Sequence, residues 1–103
     1  MDFFAGIMYG GLRVVLEAGY TVKTYTAVEL NSLSRAIGWR VIGNLQDEFQ
    51  GELLDKAIRG CYKRLPQDIC LVGEDQIREL VLAQGPIHFI CAGWKCQSMS
   101  IAG

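Results

Sequence analysis

Four stretches of this chain carry residue types and spacings that could do chemistry. The first holds Cys96, in the turn Ala92-Gly93-Trp94-Lys95-Cys96-Gln97-Ser98 that follows the apolar run Ile87-His88-Phe89-Ile90-Cys91. A thiol offered at the carboxyl end of a strand can reach an electrophile in the crevice beyond the sheet, and the ammonium of Lys95 next door favours the thiolate. The competing reading is an ordinary loop cysteine, since no base lies beside it in the sequence. The second stretch is Ala5-Gly6-Ile7-Met8-Tyr9-Gly10-Gly11, set between the strand-like Asp2-Phe3-Phe4 and a helical segment over 12–18 closed by Gly19. Strand, glycine turn and helix together bring backbone N–H groups and a helix N-terminus up to a ligand, although the same glycines suffice for a tight turn. The third is Glu29, which ends the β-branched and aromatic run 21–28. An acid at the end of the second strand of a nucleotide-binding unit can accept from two ribose hydroxyls; as a helix-start carboxylate it would instead complement the dipole of the helix beginning near Ser32. The fourth is Asp75, placed to serve as an N-cap for the helix over 76–83. His88 reads as a core or surface histidine, because a general base is expected nearer the thiol.

The elements that must position these residues follow from periodicity. Apolar residues recur at three and four over 44–65 (Leu45, Phe49, Leu53, Leu54, Ala57, Ile58, Cys61, Tyr62, Leu65), which predicts one long scaffold helix stopped by Pro66. Cys61 and the ring of Tyr62 fall on its buried stripe. Residues 68–72 predict a third strand, Gly85 a C-cap for the following helix, and 87–91 a last strand introduced by Pro86.

Composition sets limits on the whole. With 103 residues, half hydrophobic and a fifth charged, the chain predicts one globular domain with a modest core, smaller than most complete cofactor-dependent enzymes. A net charge of −1 argues against a stand-alone nucleic-acid binder, which usually shows a basic face to phosphate. Cys61, Cys70, Cys91 and Cys96 contain no C-x-x-C pair and have only His88 to join them, so no metal site is expected. With no charged-then-apolar leader and no run of membrane-spanning length, the expected location is intracellular with free thiols: the nucleus in a eukaryote, otherwise the cytoplasm.

Taken together, the four stretches resemble the motifs of the DNA cytosine-5 methyltransferases, in the family's order. The segment Ala92 to Gly103 resembles the catalytic loop, a small-residue turn, then Pro-Cys-Gln or Pro-Cys-Asn, then a serine two residues on. Lys95 stands where the family has proline, a residue that fixes φ and stiffens the loop. Phe4-Ala5-Gly6-Ile7 with Gly10-Gly11-Leu12 is similar to the first motif, which wraps S-adenosylmethionine, with the longer glycine spacing of the de novo and domains-rearranged branch. Val28-Glu29-Leu30-Asn31 matches the ribose glutamate, and Asp75-Gln76-Ile77-Arg78 is similar to the third motif, whose aspartate takes the adenine amine with help from the next residue's backbone.

The resemblance implies that residues 1–103 are the N-terminal portion of such a catalytic domain. The fold it implies is α/β, a Rossmann-like half-sheet of about four parallel strands with flanking helices, truncated after the catalytic loop. Cys96 would be the nucleophile, and Phe4, Ala5, Gly6, Ile7, Gly10, Gly11, Leu12, Glu29, Leu30, Asp75, Gln76 and Gly93 would hold S-adenosylmethionine or S-adenosylhomocysteine. The family's downstream glutamate motif, arginine motif and target-recognition region are not in this sequence, so the portion is expected to be inactive alone. An open apolar strand edge then implies a homo-oligomer or a complementing C-terminal half, with DNA bound only in a complete enzyme and no membrane partner. The alternative is a non-catalytic methyltransferase-like module used for oligomerisation or to stimulate an active partner. A dinucleotide-dependent oxidoreductase is the weaker third reading, since the glycines are not spaced G-x-G-x-x-G.

Overall fold

The computed structural model describes residues 1–3 and 10–92. In the first helix, α1 (Gly10–Glu17), Leu12 and Leu16 turn inward at 3% and 2% exposure, while Arg13 and Glu17 face outward and pair at 2.9 Å. The helix closes as a Schellman motif: Gly19 at φ +90 donates to the Leu16 carbonyl, and Tyr20 N–H to the Val15 carbonyl. Glycine supplies a left-handed conformation that a Cβ would disfavour.

Helix, not sheet, dominates the described residues. Helices α2 (Ser32–Glu48), α3 (Asp55–Ile58) and α4 (Glu74–Gln84) accompany three strands of two residues each, β1 (Asp2–Phe3), β2 (Ala27–Val28) and β3 (Cys91–Ala92). The strands are parallel and ordered β2-β1-β3, with Asp2 opposite Ala27 and Cys91, and Phe3 opposite Val28 and Ala92. This corrects the expected Rossmann-like half-sheet of about four parallel strands. The run 68–72 is not a strand but a 3-10 turn over Ile69–Leu71. There the Asp68 carboxylate accepts from Cys70 N–H at 3.0 Å, and Leu71 and Val72 donate back to the Asp68 and Ile69 carbonyls. Such local bonds compete with a ladder for the same backbone groups.

The place a neighbouring strand would take beside 22–29 is already filled. Val22, Tyr25 and Ala27 donate their N–H groups to the carbonyls of Glu52, Ala57 and Cys61 at 2.8, 2.8 and 3.2 Å. The Gln67 side chain completes that edge at Ala27 and Glu29.

The single helix expected over 44–65 is also corrected. An earlier start is set by Asn31, whose side chain accepts from Ser34 N–H at 2.9 Å, so α2 begins at Ser32 and ends at Glu48. Leu53 is held in a parallel bridge to Val22, and Gly60 at φ +70 turns the chain after α3, so 49–65 wraps the core as turns around the single short helix α3. Most of the apolar stripe is buried: Leu45, Leu53, Ala57, Ile58, Cys61, Tyr62 and Leu65 are each 7% exposed or less, whereas Phe49 is partly buried and Leu54, at 40%, faces outward.

Those residues build two hydrophobic clusters. The larger joins α1, α2 and the 53–62 segment through Leu12, Leu16, Tyr25, Ile42, Leu53, Cys61 and their neighbours. The smaller gathers Val28, Leu65 and Leu80, with Ile69, Val72, Ile77 and Ile87 packed against it, and so seats α4 beside β2. Helix α4 stops at Gly85, at φ +92, whose N–H reaches the Val81 carbonyl at 2.8 Å. Among the described residues no helix is long and apolar enough to cross a membrane.

Candidate functional site

Parallel pairing on both sides of β1 sends the C-terminal ends of the three strands out at one edge. Ligands bind at this edge in parallel α/β units, because successive strands deliver their following loops there. Glu29 follows β2 directly, and α1 opens with Gly10 and Gly11 after β1. Phe4, Ala5, Gly6 and Ile7 of the glycine segment lie outside the described residues, as do Gly93 and Cys96 after β3.

Glu29 is held from several directions. Its N–H donates to Gln67 Oε1 at 2.9 Å, its carbonyl accepts from Arg35 Nη1 at 2.6 Å, and its carboxylate Oε2 accepts from Asn31 N–H at 2.9 Å. Arg35 also reaches the Leu30 carbonyl at 2.8 Å. The last of the three bonds to Glu29 is a local, helix-start role: the carboxylate shapes the turn into α2 through the N-cap residue. A carboxylate offers roughly four acceptor sites, so this bond is compatible with accepting from a ligand hydroxyl. Leu30 projects outward at 63% exposure, beside the acid.

Gly11 has a packing reason independent of any ligand. A Cβ there would stand 2.7 Å from Cys91 Cβ and 3.1 Å from its Sγ, so only glycine lets the first turn of α1 lie against β3. Leu12, expected at the cofactor, has its side chain in the larger core cluster.

Asp75 sits in the first turn of α4 but is not its N-cap, a position Gly73 takes. Its carboxylate is 86% exposed and lies 3.8 Å from Arg78, which pairs more closely with Glu74 at 2.7 Å. Gln76 uses its side chain locally: Oε1 accepts from Gly73 N–H at 2.8 Å. The acid expected to contact adenine thus projects into solvent from a helix start, where a negative charge complements the dipole.

The cysteines sort by environment. Burial pushes the Cys61 thiol up to about 11, which keeps it protonated and unreactive near neutrality. Cys91 is half-buried against Gly11, and Cys70 is exposed. His88 lies on the surface. Among the described residues no cluster of three or more metal-ligating side chains forms.

Two residues at this edge gave no sequence signal. Arg64 donates to the carbonyls of Tyr25, Ala57 and Arg59, and burial lowers its pKa from the ordinary arginine value. Gln67 bridges Ala27 and Glu29 from about 40 positions away, beyond the reach of any periodicity argument.

A cleft of about 930 Å³ opens elsewhere, between α1, the 20–26 segment and 84–91. Gly11, Leu12, His88 and Cys91 line it; Glu29, Leu30, Asp75 and Gln76 do not. Volume and acid placement therefore point to different faces, and the hydrogen-bonded fixation of Glu29 is the better guide, because an apolar cleft alone specifies no ligand. The chain matches no protein-family model, no curated protein and no solved structure.

Proposed function

We propose that this chain is the cofactor-binding and nucleophile-bearing part of a DNA cytosine-5 methyltransferase. The observation that carries the reading is the convergence of three parallel strand ends on one edge, with Gly10 and Gly11 after β1, Glu29 after β2, and Cys96 four residues beyond β3. Bound S-adenosylmethionine would supply an electrophilic methyl group. Glu29 would hold the ribose hydroxyls, and Asp75, exposed at the start of α4, would accept from the adenine amine. The target cytosine is flipped out of the duplex so that its ring atoms are accessible.

The Cys96 thiolate then adds to C6 of the cytosine, which places an electron pair on C5. That carbon receives the methyl group that bound S-adenosylmethionine would supply. Loss of the C5 proton then expels the thiolate and restores the aromatic ring. Lys95, beside Cys96, favours the thiolate that starts the sequence.

A covalent trap tests this. DNA carrying a mechanism-based cytosine analogue, incubated with the chain, S-adenosylmethionine and a complementing C-terminal half, is expected to give an adduct that maps to Cys96 and vanishes in Cys96→Ser. Absence of any adduct under those conditions sinks the enzyme reading. One observation favours the second reading, a non-catalytic module for oligomerisation: Phe89 and Ile90, just before β3, are 46% and 59% exposed. Dimerisation in sedimentation together with a negative trap would decide for it.

A further inference from the structure

Gln67 lies in the connection between the 53–65 turns and α4, and its side-chain amide does what a neighbouring strand would do. In a parallel ladder, a residue on the adjacent strand donates its N–H to the carbonyl of one residue and accepts from the N–H two positions further on. Gln67 Nε2 donates to the Ala27 carbonyl at 3.2 Å, and its Oε1 accepts from Glu29 N–H at 2.9 Å. Nε2 also donates to the Leu65 carbonyl at 3.0 Å, which locks the amide in this orientation. Residues 27 and 29 share the face of β2 turned away from β1, and Ala27 N–H on that face is already bonded to the Cys61 carbonyl.

We propose that Gln67 is the positioning residue for Glu29: by standing in for a missing strand at the edge of β2, its amide fixes the backbone from which the acid meets the ribose. The inference rests on the reading of Glu29 as a ribose contact. It explains how a strand only two residues long can present an acid in a defined place. Ordinary ladder pairing ends at Val28, and the next N–H along the chain is the one Gln67 holds. Without it, Glu29 would keep the bonds from Asn31 and from Arg35 of α2 and lose the one that Gln67 brings from 38 positions away.

The test compares two ligands on three proteins. S-adenosylhomocysteine and its 2′,3′-dideoxyribose analogue are titrated calorimetrically into the wild-type chain, Glu29→Ala and Gln67→Met. A positioning role predicts that Gln67→Met weakens S-adenosylhomocysteine roughly tenfold, the size of one lost hydrogen bond, and leaves the dideoxy analogue unchanged. Glu29→Ala should show the same selectivity. Equal weakening of both ligands by Gln67→Met would mean general damage to the fold and overturn the proposal, as would no change in either. Failure of the functional reading shows elsewhere: the wild type would not discriminate the two ligands, or Glu29→Ala would bind both as before. Should Gln67→Met not fold, Gln67→Glu retains an acceptor for Glu29 N–H while losing the bond to Ala27, and it is expected to lie between wild type and the full loss. Amide hydrogen exchange at Glu29 should quicken in Gln67→Met, and unchanged protection there would overturn the proposal.

Discussion

The end of β2 and the start of α4 each present an acid that the methyltransferase resemblance would give to the cofactor, and the two are built differently. Around Glu29, local bonds from Asn31 N–H and Arg35 are joined by one from far along the chain, where Gln67 holds its N–H and the Ala27 carbonyl; four residues earlier Arg64 holds the carbonyl of Tyr25. Around Asp75 everything is local, with Arg78 bonded to Glu74 four residues back and Gln76 capping Gly73. An acid held by distant segments keeps its place only while the fold is intact, and it is already ordered when a ligand arrives. An acid on an exposed helix start forms early and cheaply, but ligand binding must then meet the entropy of ordering its side chain.

Arginine substitutions break this contrast most sharply. Arg64→Met should lower stability by about 2–4 kcal/mol, because the Tyr25, Ala57 and Arg59 carbonyls lose a charged donor in a partly buried niche. Arg78→Met removes pairs whose side chains are 62% exposed or more, so denaturant unfolding should register no more than about 0.5 kcal/mol. Comparable losses for the two arginines would show that the β2 end is not the more deeply anchored region.

Glycine replacements give a smaller effect of either sign. Gly11→Ala would press a Cβ to 2.7 Å from Cys91 Cβ and should destabilise by about 1–3 kcal/mol. Gly43→Ala, inside α2 with open space around the added methyl, should instead stabilise by about 0.5–1 kcal/mol. Thermal melts of the two variants moving in the same direction would contradict the close approach of α1 to β3.

The third contrast is between thiols. Cys61 backs the edge of β2, and its folded-state pKa of about 11 lies above the ordinary value of 9.0. Below pH 9 the thiol is protonated in both states, so its contribution is fully present; as pH rises toward 11 the unfolded chain loses the proton first, and that contribution is lost. The loss should be on the order of 1–2 kcal/mol and should disappear in Cys61→Ala. Cys70, exposed before α4, should react with a thiol reagent in the native protein while Cys61 stays protected. Early labelling of Cys61 would place it in the less protected region.

Sequence reasoning recovered what local patterns encode. Gly19 and Gly85 stop their helices as read, the apolar stripe through Cys61 and Leu65 is buried apart from the exposed Leu54 and partly buried Phe49, and α4 lies where its periodicity places it. It failed where a distant segment decided the outcome. The run 68–72 has strand-forming residues, but Asp68 bonds back onto Cys70, and the edge such a strand would need is occupied by Gln67 and by the 52–61 carbonyls. The stripe over 44–65 has helical spacing, but backbone bonds from Val22 and Tyr25 to Glu52 and Ala57 break it after α2 into turns and the short α3. The position of Glu29 just after a strand was legible, because β-branched residues precede it, whereas Gln67 and Arg64, nearly 40 residues away from the backbone they hold, gave no signal.

Whether the β2 end is a formed ribose site can be decided by a single titration. S-adenosylhomocysteine is added calorimetrically to the wild-type chain, Glu29→Ala and Asp75→Ala. A formed site predicts measurable binding by the wild type, a loss of about 10- to 100-fold in Glu29→Ala, and about threefold or less in Asp75→Ala. No heat from the wild type at high ligand concentration, or equal losses in the two variants, would contradict it.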